Sequence, residues 1–397
     1  MFRKKVKKMV VISISSVLAL LLIASAALFF AGGWLQPRHY LQPWDKHYAT
    51  SFGDPRIRLA AYGLLAANGH NMQPWIIKLD RNNSNVFYLY ADANRMSPMA
   101  DPDARQLMVT QGTFLEYVSV AGQALGYPAT IDLFPDGTFD EQHLAQSMTA
   151  KPVARITLGR AAAQKSPLFD AVYIPDTNRE AYRPTPLTSA QKRAFEALLT
   201  TNVRTIVYGD QKNVTALGKI ALDSAVIEAH TPRVMKEAGA IFRANEYQKN
   251  QTRYGFSFEG QGTSGFKLYF MQGLITLLPF LNSSSAASDL MIQSTRTELA
   301  HTPAYAMILS GSNSRTDQVR SGMFYSQLNL TASSLGLAVQ PVSQALEEYP
   351  EMQKQYSDIH DKYAPDGQTI QMLVRVGTPT QNVPQSMRRD VMDLIRK

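Results

Sequence analysis

Two stretches of this chain repeat each other, and that repeat constrains the fold more than any other feature. "GTFLEYVSVAGQALGYPA" from Gly112 and "GMFYSQLNLTASSLGLAV" from Gly322 align without a gap, pairing Gly112 with Gly322, Phe114 with Phe324, Leu125 with Leu335 and Gly126 with Gly336. Each reads as a helix that stops at a glycine, where a left-handed C-terminal cap is easiest without a side chain. Strand-like runs precede both copies, "NVFYLYAD" and "AYAMILSGS", and others follow, "PVARITLGR" and "IQMLVRVGT". Two copies of this order imply two related α+β halves in one chain. The Ala, Ser, Gly and Thr on both helix faces permit close approach, so the halves are expected to form a pseudo-dimer with helix on helix at its centre.

At 397 residues and 45% hydrophobic content the chain is long enough for two packed units. Its formal charge of +8 looks basic, but Arg3, Lys4, Lys5, Lys7 and Lys8 supply five of those charges. The remaining excess of about +3 argues against a nucleic-acid surface. No charged residue occurs from Met9 to Gly33, a run longer than the roughly 20 apolar residues that span a bilayer. Residues 1–33 therefore read as an uncleaved N-terminal transmembrane anchor, with cleavage near "ASA" at Ala24 to Ala26 as the alternative. The basic residues before the span predict a cytoplasmic N-terminus and an extracytoplasmic body on the periplasmic side. Without cysteine the chain has no disulfide and no thiolate chemistry.

Residues 34–58 mix proline, aromatics and charges without a period. They read either as a linker whose Trp34, Tyr40 and Trp44 rest at the lipid interface, or as an ordered arm packed on the body. The first half is placed at 59–165 and the second at 166–397. "LTSAQKRAFEALL" between the repeats is an amphipathic helix with Thr188 or Ser189 as its N-cap. A long irregular insertion at about 231–300 belongs only to the second half and reads as a lid, since long insertions in compact domains are often functional. Within it, "GQGTSG" from Gly260 to Gly265 has dinucleotide-loop spacing but lacks a buried strand before it, so a flexible loop is the preferred reading. The following "FKLYFMQGLITLLPFL" is short of a span and reads as a lid or core helix more readily than as a membrane contact.

Acid-base and metal chemistry find little support. The seven histidines are scattered without HExxH spacing, no GxSxG elbow is present, and no catalytic side chain or metal ligand is assigned. Chemistry performed by a bound cofactor remains. "AANGHNMQPW", Ala66 to Trp75, bears on this. Its glycine permits close backbone approach to a flat ring, and Asn68 and Asn71 offer donors and acceptors to a polar edge. A plain helix-to-strand turn is the alternative.

The same stretch resembles the Ala-Pro-Ser-Gly-His-Asn-Thr-Gln-Pro-Trp signature of the nitroreductase superfamily, particularly its Acg-like FMN-binding branch. "ADANRMSPMADPDARQLMVTQGTFLEY", "IPDTNREAYRPTPLT", "SLGLAVQPVSQALEEYPEM" and "QMLVRVGTPTQNVPQSMRRDVMDLI" resemble further segments of that branch in the same order, from about Leu59 to the C-terminus. The resemblance implies a three-layer α+β fold with two halves fused in one chain and FMN at their interface; it covers the body and not the N-terminal transmembrane helix. It places Asn68, Gly69, His70 and Asn71 near the isoalloxazine. Thr177, Asn178 and Arg179 would hold the ribityl chain and phosphate. Pro341, Ser343 and Gln344 would lie beside flavin N5 and O4, and Arg388 and Arg389 would bind phosphate, a task suited to guanidinium forks; a surface pair is their alternative.

Three departures stand out. Ala67-Asn68 replaces the usual Pro-Ser, Pro175 replaces an arginine expected to contact phosphate, a loss for which Arg183 could compensate, and Ser343 replaces an acidic residue found beside N5 in many relatives. The resemblance implies an FMN-dependent oxidoreductase that takes hydride from NAD(P)H and reduces a quinone or nitroaromatic, as a monomer whose halves supply its pseudo-dimer. A non-catalytic FMN-holding protein and a flavin-free membrane-tethered interaction module are the rival expectations.

Overall fold

Alternation and β-branched content bring the apolar runs into two antiparallel sheets with the same plan. The computed structural model describes residues 2–174, 177–198, 200–281 and 284–396. After helix α1 (Phe2–Gly32), short α2 (Lys46–Thr50) and α3 (Pro55–Gly63) lead to strands β1 (Trp75–Leu79) and β2 (Val86–Ala91). Helix α4 (Arg105–Leu125), β3 (Ala129–Leu133), α5 (Leu144–Ala150) and β4 (Ala154–Leu158) complete the first sheet, in the order β1-β2-β4-β3. Helices α6 (Pro167–Ala171) and α7 (Ser189–Glu196) lead onward, with Thr188 capping α7 in a reciprocal box with Gln191.

The second half opens with β5 (Val203–Tyr208) and then departs through α8 (Gln211–Ala229), α9 (Pro232–Ala240), α10 (Glu246–Thr252), α11 (Gly265–Leu277) and α12 (Ser284–Ala300). It returns as β6 (Ala304–Ser310), α13 (Arg315–Ser334), β7 (Ala338–Pro341), α14 (Gln353–Tyr363) and β8 (Thr369–Gly377). Its sheet order, β5-β6-β8-β7, matches the first strand for strand. Every pairing is antiparallel. In both sheets the long helix joins the second strand to the third.

Those two helices, α4 and α13, pack against each other through the repeated glycines. A Cβ on Gly112 would lie 1.9 Å from the Val319 carbonyl oxygen, and one on Gly322 would lie 1.8 Å from that of Val109. Each glycine thus meets the residue three positions before its counterpart, as an isologous two-fold contact requires. Backbone approaches this close leave no room for any side chain. Gly126 and Gly336 take left-handed φ of 78° and 70° just past the helix ends, as the glycine stops predict.

The arm after α1 is ordered. Tyr40 and Trp44 are buried rather than at a lipid interface, and Trp44 Nε1 donates to the Ser386 carbonyl at 2.8 Å. The last residues also leave the second half. Val391 and Leu394 join the first half's core, and Ile395 bridges to Ile77 on β1. Helix α1 contains a 22-residue stretch, Val11–Gly32, of mean hydropathy 2.5 that is exposed over most of its length, with Gly32 buried at its end. Its last turns pack on α11, so "FKLYFMQGLITL" lies beside the apolar N-terminal helix and not inside the body's core.

Candidate functional site

The loop after α3 is shaped by side chains on either side of it. Asn68 Oδ1 accepts from the Gln73 amide at 2.7 Å, closing the loop on itself. Thr110 and Thr113 of α4 hold it from below: Gly69 N donates to Thr110 Oγ1 at 3.2 Å, and Thr113 Oγ1 donates to the Ala67 carbonyl at 2.6 Å. These ties support three non-glycine residues in left-handed backbone, His70 (φ 50°), Asn71 (φ 53°) and Gln73 (φ 51°). Such conformations are costly and persist where surrounding structure over-determines them.

Three distant segments meet this loop. Arg388 is buried, and its NH1 donates to Asn71 Oδ1 at 2.9 Å while NH2 donates to the Leu65 carbonyl at 2.7 Å. Arg389 donates its amide to Gln73 Oε1 at 2.8 Å and its NH1 to the Gln73 carbonyl at 3.3 Å. Burial and the Arg179 guanidinium both hold His70 below the ordinary imidazole value. The insertion supplies the third contact. Gly255 N donates to the Asn71 carbonyl at 3.0 Å, and Asn71 Nδ2 returns a bond to the Gly255 carbonyl at 2.9 Å. Gln73 Nε2 donates to the Arg253 carbonyl at 2.9 Å, and Arg179 NH1 to that of Gly260 at 2.7 Å. Arg95 stacks its guanidinium 4.2 Å from the centre of the Tyr254 ring.

The remaining expected residues lie further along the second half. Asn178 is buried, pairs its amide with the Val339 carbonyl at 3.1 Å and donates from Nδ2 to the Gln381 carbonyl at the same distance. Thr177 precedes it, half-buried, and Pro175 lies outside the described residues. Pro341 pairs with Val374 at the sheet edge, and Ser343 Oγ both donates to the Leu373 carbonyl and accepts from the Leu373 amide at 3.1 Å. Gln344 turns toward buried Glu228. The structure thus gathers Asn68, Gly69, His70, Asn71, Arg179, Arg388 and Arg389, and holds Asn178, Pro341, Ser343 and Gln344 along β7 and its exit. In "GQGTSG", Gly262 (φ 83°) makes room for Glu180, whose Oε1 would lie 2.3 Å from a Cβ there; no strand leads into it, so it forms no phosphate cradle.

Gly69, His70, Arg95, Asp101, Gln106 and Thr110 border a cavity of about 30 Å³. That is room for water, against the roughly 300 Å³ or more of a cofactor pocket. The donor set suits a flavin's polar edge in kind, yet Asn71, Arg388 and Arg179 already bond to the chain's own backbone. With residues 253–262 in this position, the loop does not accommodate an isoalloxazine.

Sequence reasoning overlooked Gln73 as the residue that joins loop, insertion and C-terminal segment, although it lies inside the quoted motif. It also overlooked a buried acidic pair. Burial pushes Glu228 up to about 7, and burial together with Glu228 raises Glu347 further beyond the usual carboxylate range. Neither has a local motif, because the two come together only through the packing of α8 on the turn after β7.

No family model matches the chain, and no curated protein sequence matches it. Among solved structures it is similar to an FMN-bound nitroreductase from Desulfitobacterium hafniense, at 10% identity over 59% of this chain and 99% of that one, with a TM-score of 0.35. A nitroreductase-like family protein from Bacillus cereus aligns at 10% identity over 60% and 98%, with a TM-score of 0.32. The FMN-dependent nitroreductase NfnB from Mycobacterium smegmatis, solved with NADPH, aligns at 16% identity over 55% and 92%, with a TM-score of 0.31.

Proposed function

We propose that the chain is a membrane-anchored FMN oxidoreductase of nitroreductase type, with its cofactor groove at the seam between two fused halves. The observation that carries this reading is the convergence of Arg179, Arg388 and Arg389 on the strained loop Asn68–Gln73, beside the reciprocal crossing of α4 and α13. FMN, when bound, would pass hydride from NAD(P)H to an electron-poor acceptor such as a quinone or nitroaromatic. On this reading His70 and the two amides Asn68 and Asn71 face the ring edge, and arginine forks balance the phosphate charge.

Residues 253–262 act in this proposal as a cover that must swing away before the ring enters. Its hydrogen bonds to Asn71, Gln73 and Arg179 are then exchanged for bonds to the cofactor. A second reading is FMN held without turnover: a cover that closes again over the bound ring would exclude the nicotinamide and the acceptor. The body is proposed to lie across the membrane from the basic N-terminal run. Electrons would then come most readily from a membrane quinol or another partner on that side.

The test uses the full chain purified in detergent and titrated with FMN. Bound flavin absorbance that NAD(P)H or a quinol bleaches anaerobically supports the oxidoreductase; bound flavin that no reductant bleaches supports the second reading. A folded chain that takes up no FMN, and whose Gly255→Ala variant takes up none either, overturns both.

A further inference from the structure

We propose that helix α11 and the turn Pro279–Leu281 form a second membrane-embedded element, inserted beside the N-terminal helix with lipid acyl chains against its outer face. The proposal rests on the reading of α1 as a bilayer span. Sequence alone favoured a lid or core helix for this segment; its surroundings in the fold point elsewhere.

The first observation is the contact with α1. A Cβ on Gly273 would lie 1.9 Å from the Leu28 carbonyl oxygen, and one on Gly32 would lie 2.5 Å from that of Tyr269. The pairs 28 with 273 and 32 with 269 run in opposite senses, so the helices are antiparallel. Close approach through small residues is how helices associate in lipid, where apolar surface alone gives no drive to pair. Phe29 extends the contact, with its ring centre 4.4 Å from that of Phe266.

The second observation is the surface left uncovered. Phe266, Phe270, Leu277, Leu278, Phe280 and Leu281 are all exposed, Phe266 by 72% and Phe280 by 71%. They form an apolar face continuous with α1, whose leucines at 18 and 20–22 are equally bare. A patch of this kind on a water-facing body is a liability unless something apolar covers it. The inner face is different. Leu268, Tyr269, Gln272 and Gly273 are buried, and Asn245 Nδ2 donates to Thr276 Oγ1 at 3.0 Å, which ties α11 to the body.

Charge gives the third. Between Glu259 and Asp289 the only charged residue is Lys267, near the start of α11. The antiparallel pairing sets that end level with Gly32 and with exposed Trp34, where a tryptophan and a long basic side chain suit the headgroup region. Past the crossing at Leu28 and Gly273, α11 runs toward the middle of the apolar span. Its C-terminal end, with Phe280 and Leu281, therefore enters the acyl region while the basic end stays at the surface. A second copy of the chain or another protein would need to supply a matching apolar face; the anchor already brings lipid to this one.

The absence of cysteine allows a clean test. Phe280→Cys, Leu21→Cys on α1 and Lys219→Cys at an exposed position of α8 are each labelled with nitrobenzoxadiazole in the full chain. The proteins are then reconstituted in vesicles of phosphatidylcholine and phosphatidylglycerol. The expected result is that the labels at 280 and 21 are quenched by lipid-borne nitroxide and spared by aqueous iodide, with the reverse at 219. A lipid-exposed label at 21 with an iodide-quenched label at 280 overturns the proposal and leaves the anchor standing. Protection of the 280 label from both quenchers means protein covers the face, and this also overturns it. Iodide quenching at 21 overturns the anchor and the proposal together.

Discussion

The two halves agree at their seam and diverge at one hairpin. In the first half β1 turns directly into β2 through residues 80–85; in the second the matching strands β5 and β6 are separated by residues 209–303. Helix α11 that packs on α1, residues 253–262 that cover the loop Asn68–Asn71, and the buried Glu228 are all inserted at that one place. A fold with two equivalent sites would follow from exact repetition. The insertion makes them unequal, leaving one seam loop covered and one side of the body apolar.

The largest effect is expected where the halves are alike. Gly112→Val and Gly322→Val should each cost about 3 kcal/mol or more, since the new side chains have only backbone to displace. Chemical denaturation of the two variants should give similar losses. A large loss for one and none for the other would break the two-fold seam.

A pH effect of similar size should come from the buried pair Glu228 and Glu347, beside that of Glu116 on α4, which burial also pushes up to about 7. Burial raises Glu228 from 4.5 to about 7 and raises Glu347 as well, so both hold protons in the folded state that they lose in the unfolded one. Their contribution is therefore fully present below pH 4.5 and declines as pH rises toward 7 and above. For Glu228 alone the span is up to about 3 kcal/mol. Thermal melts from pH 5 to 8 should show the fall, and Glu228→Gln should flatten it.

Smaller again is the tie between loop and cover. Asn71→Ala removes bonds to Gly255, Met387 and Arg388 and should destabilise by about 2 kcal/mol, at roughly 1 kcal/mol per hydrogen bond with partial recovery by water. Hydrogen exchange should report the loosening at residues 253–262 first. Gly239→Ala, with open space around it inside α9, should instead stabilise by about 1 kcal/mol.

What the sequence made legible was local. The two long helices, their glycine stops, the cap at Thr188 and the turn before Trp75 all carry short-range signals, and each is where the pattern placed it. Strand β7, four residues ending in Pro341, is too short to show a period. The arm was ambiguous because Tyr40 and Trp44 suit a lipid interface and a core equally well. The site was half legible. Its loop and its arginines were expected, but the bonds from Asn71 to Gly255 and from Gln73 to Arg253 join residues about 180 positions apart, and no local pattern encodes them. Likewise, α11 looks like any apolar helix until α1 is seen beside it.

The central claim is that the seam holds FMN beneath a movable cover. It is tested most directly by FMN titration of the full chain and of Gly255→Ala, in which a Cβ 2.1 Å from the Ile241 carbonyl oxygen must shift the cover. The account predicts one FMN per chain, taken up faster by Gly255→Ala than by the unaltered protein. Folded protein that binds no FMN in either form would contradict it.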